Sequence, residues 1–152
     1  MKALIGILLV SLLTYANEIE VSAQEFIGDE KNKLTYLKGN VEIKRGGDHL
    51  IANEAFVYLD TNNRPSKIQA ISNVRFWLKL KDGRNIEGES NEAIFLPNMQ
   101  EYQLLGNAIV REIDKNNIVR GDKIIVRHAE GYISVIGNEK KPARLIFKIE
   151  KE

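Results

Sequence analysis

Cysteine is absent from the 152-residue chain. That excludes disulfide scaffolds, thiolate metal sites and cysteine nucleophiles together. Histidine occurs only as His49 and His128, which leaves little for a histidine-built metal or catalytic centre. Proline occurs three times, as Pro65, Pro97 and Pro142, each at a turn or strand start where a sheet tolerates it. An excess of either charge is also missing, with 22 basic residues against 21 acidic ones. A nucleic-acid binder needs a basic excess to neutralise phosphates, and none is here. No apolar run reaches the roughly 20 residues of a membrane-spanning helix.

The one apolar run, Ala3 to Leu13, follows Met1-Lys2 and precedes Thr14-Tyr15-Ala16. One positive charge, a short apolar stretch and small residues two apart are the three parts of a secretory signal. Residues 1–16 are therefore expected to be a cleaved signal peptide, with cleavage after Ala16, and residues 17–152 one exported domain. Loss of Lys2 leaves that domain with no net charge. The 43% apolar and 28% charged composition is that of a folded globular domain with one core.

Beyond the signal, alternation of apolar and polar residues dominates. Val41-Glu42-Ile43-Lys44, Val74 to Leu80 and Arg144 to Ile149 have period two, except that Trp77 adds an apolar residue on the outer face of the second, the mark of strands with one face buried. Turn-forming stretches separate them: Arg45 to Asp48, Asp60 to Pro65, Lys81 to Arg84 and Asp114 to Asn117. Asp82-Gly83 predicts a type I′ hairpin turn. No stripe of helical period reaches ten residues, so an all-β fold is expected.

A repeat runs through the chain. Gly39-Asn40-Val41 is echoed by Ser72-Asn73-Val74, Gly106-Asn107-Ala108 and Gly137-Asn138, about 33 residues apart, with no helical periodicity to suggest a helical solenoid. A second echo is Ala52-Asn53-Glu54-Ala55, Gly88-Glu89-Ser90 and Gly121-Asp122-Lys123-Ile124. A small residue at a fixed place in each strand predicts a bulge or a close backbone approach where the sheet bends. Units that each bury one face stack into a continuous apolar interior.

Catalytic constellations are not evident. His49, after Gly46-Gly47, reads as a solvated turn residue, and His128 as a solvated strand end. Glu87, Glu89 and Glu92 read as a solvated face, and Arg120-Gly121-Asp122 is explained by the repeat. No metal-ligand spacing, serine elbow or paired carboxylate stands out, so no enzyme activity, cofactor or metal is expected.

Leu37 to Ile43, Ile51 to Ala55, Ile86-Glu87-Gly88, Leu104 to Ala108 and Asn117 to Ile124 resemble, in order and spacing, the OstA-like family of periplasmic lipopolysaccharide-transport proteins of Gram-negative bacteria. The resemblance covers about residues 19–149, and Ser72 departs from it where glycine is usual. It implies a twisted, open β-jellyroll of many short antiparallel strands, shaped as a trough that shields lipid A acyl chains from water. It also implies head-to-tail association with further copies, and with LptC-like inner-membrane and LptD-like outer-membrane proteins. A membrane-anchored LptC-type component is the nearest alternative; an exported sugar-binding module or hydrolase would need a clustered polar site.

Parity then assigns the trough-facing residues: Val41 and Ile43, Ala55 and Val57, and Val74, Phe76 and Leu78. Further along come Ala93 and Phe95, Ala108 and Val110, Ile124 and Val126, and Leu145 and Phe147. The terminal strands are expected to expose unpaired edges at Ile19, Val21 and Ala23, and at Leu145, Ile146 and Phe147.

Overall fold

The computed structural model describes residues 18–149. The expected signal peptide and its cleavage point lie outside these residues. Ten strands form one antiparallel sheet. They are β1 (Glu20–Ser22), β2 (Glu25–Asp29), β3 (Leu34–Arg45), β4 (Asp48–Leu59), β5 (Pro65–Lys79), β6 (Asn85–Leu96), β7 (Glu101–Glu112), β8 (Asn117–Arg127), β9 (Tyr132–Ile136) and β10 (Arg144–Ile146). A 3-10 turn, Pro97–Met99, separates β6 from β7.

The central path β3-β4-β5-β6-β7-β8 follows chain order. At one end, β1 and β2 pair with the two halves of β3. At the other, β10 and β9 pair with the two halves of β8. β3 to β8 run 11 to 15 residues each, longer than the alternating runs read from the sequence. The strands continue through the repeat rather than ending there.

Three of the four echoed Gly-Asn or Ser-Asn pairs are bulges. Gly39 and Asn40, Ser72 and Asn73, and Gly106 and Asn107 all have positive φ, between 46° and 83°. The register slips at these places: between Lys38 and Val41, between Ile71 and Val74, and between Leu105 and Ala108. Two residues there oppose one residue on the neighbour, which bends the strand sharply. The bulges lie side by side, so the whole sheet folds along one line into two layers. One layer holds segments 34–38, 54–59, 65–71, 92–96, 101–105 and 123–127 with β2 and β9. The other holds 41–45, 48–52, 74–79, 85–90, 108–112 and 117–121 with β1 and β10. The inward faces meet to form the core.

Register corrects the second echo. The single residues opposite the bulges are Asn53, Asn91 and Asp122. Asn91-Glu92-Ala93 is thus the counterpart of Asn53-Glu54-Ala55, and Gly88 has another role. A Cβ at Gly88 would lie 1.9 Å from the Ile109 carbonyl oxygen and 2.6 Å from Cζ of Phe76, so the glycine makes room for the Phe76 ring. The fourth echo, Gly137-Asn138, falls after β9 rather than within a strand.

The Asp82-Gly83 hairpin also differs from type I′. Gly83 N–H donates to the Leu80 carbonyl and Leu80 N–H to that of Arg84, and of the Asp82-Gly83 pair only Gly83 has positive φ. This is a three-residue loop closed by a glycine bulge. Asp82 is instead engaged by Arg84, whose backbone N–H and Nε both donate to its carboxylate.

Candidate functional site

The interior is built by parity from both layers. Val41, Ile43, Val74, Phe76, Leu78, Ala108 and Val110 are buried on one layer, and Ala55, Val57, Ala93, Phe95, Ile124 and Val126 on the other. All thirteen lie in one apolar cluster. Leu37, Leu50, Ile68, Ile86, Tyr102 and Leu104 join them; the same alternation marks Ile68-Gln69-Ala70 and Tyr102-Gln103-Leu104 in the sequence. The layers are closely packed. Between them, lined by Ile43, Leu50, Leu78, Ile68 and Phe95 among others, is a cavity of ≈ 20 Å³, room for about one water.

The apolar surface continues out of the core at both ends of the sheet. At the β9–β10 end, Ile86, Val110, Val119, Ile133, Val135, Leu145 and Phe147, together with the polar Arg84, Glu112 and Asn117, line an open concavity of ≈ 270 Å³. Leu145 pairs with inward-facing Val119, yet it is 56% exposed and Phe147 64%. These two belong to the mouth and not to the core. At the β1–β2 end, Phe26 pairs with the fully buried Leu37 and remains 53% exposed. Ile19, Val21 and Ala23 pack against the core beside it. The free edges are wider than the terminal segments read from the sequence, since β2 extends the first and β9 the last.

Opposite the line of bulges, hairpin turns from the two layers meet along a lip, and a polar cluster sits there. Asp48, at the start of β4, is 5% exposed. Its Oδ1 accepts the Lys79 backbone N–H at 3.0 Å. Its Oδ2 accepts the Tyr102 hydroxyl at 2.8 Å and lies 3.3 Å from Nε2 of His128. Burial, aided by the Asp48 charge, pushes the Tyr102 hydroxyl well above its ordinary pKa. Nearby, Arg45 lies over the Phe95 ring and Arg84 Nη2 donates to the Gly131 carbonyl at 2.7 Å.

His128 is therefore not a solvated strand end. It touches a buried carboxylate, and that contact joins residues far apart in sequence. His49 is likewise not a turn residue. It lies on β4 with its ring stacked on Trp77 at 5.2 Å and Nε2 3.3 Å from Glu42. Glu42 itself is held below the ordinary carboxylate pKa, first by the Lys44 ammonium.

The remaining acids lie elsewhere. Glu89 faces Arg111 at 4.0 Å, and Glu92 accepts a hydrogen bond from Gln69. Glu101 is kept ionised first by a hydrogen bond from Gln103 and then by Arg127. Among the described residues no group of three His, Asp or Glu side chains converges to hold a metal ion. On the outer face, Arg120, Lys140, Lys141 and Arg144 surround an open pocket of ≈ 360 Å³ with Asp122. Arg120 and Arg144 are directly opposite each other across the β8–β10 pair.

Residues 20–132 match the family described as LptA/(LptD N-terminal domain) LPS transport protein. Comparison with curated proteins gives no match. Among solved structures, the fold is similar to LptH, the LptA homologous periplasmic component of the lipopolysaccharide transport device of Pseudomonas aeruginosa. The TM-score is 0.76 at 14% identity, covering 87% of this chain and 96% of that one.

Proposed function

From the premise that the chain belongs to the LptA/LptD N-terminal-domain family of LPS transport proteins, we propose that it is a periplasmic carrier that receives the acyl chains of lipopolysaccharide between its two layers. The observation that carries this reading is the inward face. It is apolar along the sheet and still apolar where it emerges, with Phe26 at one end and Leu145 and Phe147 at the other. Acyl chains gain about 25 cal/mol per Å² of apolar surface removed from water. A long apolar face therefore binds by many weak contacts and needs no polar catalytic group. Release to a next carrier requires contacts of that kind.

In this reading the carrier works end to end, with further copies and with LptC-like and LptD-like partners. Two features support it. β1 and β2 run from the second layer to the first, and β9 and β10 run back from the first to the second. The first edge of another copy thus continues the antiparallel order, with layer meeting like layer. The edges are also opposite in charge. Glu18, Glu20, Glu25, Asp29 and Glu30 stand on the first edge without a basic residue among them, whereas Lys140, Lys141, Arg144 and Lys148 outnumber Glu139 on the last. Sheet-edge addition of this kind supplies main-chain hydrogen bonds, and a heterologous contact extends into a line.

The test is a lipopolysaccharide-binding titration with Phe147→Asp. Phe147 is exposed, so the variant keeps its fold. A charge at the mouth must be desolvated when a chain lies against it, and we expect binding to weaken at least tenfold. Unchanged binding would count against the reading.

A further inference from the structure

We propose that Asp48, Tyr102 and His128 form a latch that holds the two layers shut along the lip, and that acyl chains are admitted when it opens; the second half rests on the function proposed above. Asp48 belongs to one layer. Tyr102 on β7 and His128 just after β8 belong to the other. The Tyr102 hydroxyl and the His128 imidazole approach the same carboxylate oxygen, at 2.8 and 3.3 Å. The other oxygen is fixed by the Lys79 backbone N–H at 3.0 Å. The carboxylate is thereby held by its own layer and reaches across to the other.

Its position gives the contact leverage. The layers are joined covalently along the bulges, on the far side of the molecule. Parting at the lip is a rotation about that line, and the lip moves most. The interlayer cavity beside Asp48 measures ≈ 20 Å³, which admits no acyl chain. For one chain to enter, the layers must part by about 4 Å, the contact distance between carbon atoms. The 2.8 Å hydrogen bond does not survive that parting. The groups it frees lie at the lip, where water replaces the lost partners, so the polar contact can break and re-form without leaving a buried orphan.

A purely apolar lip would have no such directional contact. The Arg84–Gly131 hydrogen bond and Arg45 over Phe95 cross the same gap.

The absence of cysteine permits a direct test in the full exported domain. Spin labels are placed at Lys81→Cys, beyond β5, and Asn98→Cys, before β7; both positions are exposed. Distances between them are measured in the otherwise wild-type chain and with Tyr102→Phe or Asp48→Asn, which keep side-chain shape. We expect both latch variants to shift the distribution to longer distances without lipid, and circular dichroism to stay native. An unchanged distribution, with or without a loss of thermal stability, overturns the latch. A separate arm adds lipopolysaccharide to the labelled wild-type domain, where we expect the same lengthening. Failure of that arm alone, with the variants open, counts against acyl-chain admission and leaves the latch standing.

Discussion

Gly88 and Phe76 illustrate how individual positions are constrained. Gly88 has no room for a Cβ because the Ile109 carbonyl and the Phe76 ring occupy its place. Gly88→Ala is expected to destabilise the domain by about 2 kcal/mol through overpacking, as read from urea unfolding. A change within about 0.5 kcal/mol, the usual range for surface substitutions, would show that the sheet yields there. Phe76 is fully buried at the same spot, so Phe76→Asp tests folding before it tests any ligand, and Phe147 is the better probe. Tyr102 gives a pH dependence. Its folded-state pKa lies above that of the unfolded chain, near 10. The contribution is therefore fully present below about pH 10 and is lost as pH rises through the folded-state value. We expect stability to fall more steeply above that pH in the wild type than in Tyr102→Phe. Most inward residues were legible, because alternation assigns Val41, Ile43 or Ile124 a face without knowing its neighbours. Asp48 was not. It reads as a turn residue, and its partner Tyr102 is 54 positions away.

At the level of the strand, the repeat was visible as a small residue followed by asparagine, and the structure gives it a geometry. Both residues of each bulge have positive φ, a region in which a side chain costs roughly 1–2 kcal/mol and glycine costs nothing. Ser72, at φ 67°, carries that strain where Gly39 and Gly106 do not. Ser72→Gly is therefore expected to raise stability by about 1 kcal/mol, measured by chemical denaturation. A loss of stability would mean that the serine hydroxyl or chain entropy outweighs the strain. Strand lengths were the less legible part. A bulge and a turn share the same residue types, so Gly-Asn reads locally as an end, and only pairing on both sides shows that the strand continues. The second echo was misaligned for a related reason. Gly88 is a small residue for packing, and nothing in its local sequence separates that from a small residue opposite a bulge.

Across the whole molecule, the fold leaves two unlike edges, one acidic and one basic, on a sheet whose inward face is mainly apolar, with Asp48 and Ser90 as buried polar exceptions. In the proposed end-to-end contact charge orients the copies, so association is expected to weaken with salt, over the range in which the screening length falls from about 10 Å to 3 Å. Sedimentation of the wild type and of Glu20→Lys across that range checks this, and the variant is expected to associate less even at low salt. Equal association of both at all salt concentrations would remove charge from the account. The central claim remains that acyl chains lie on the inward face. Phe147 and Ile146 are adjacent, both exposed, and directed to opposite faces at the mouth: Phe147 lines the concavity, whereas Ile146 pairs with outward-facing Ile118. A photoreactive residue placed at each in turn, in cells making lipopolysaccharide, compares the two faces directly. The account predicts lipopolysaccharide adducts at position 147 and few or none at 146; equal labelling, or labelling at 146 alone, would contradict it.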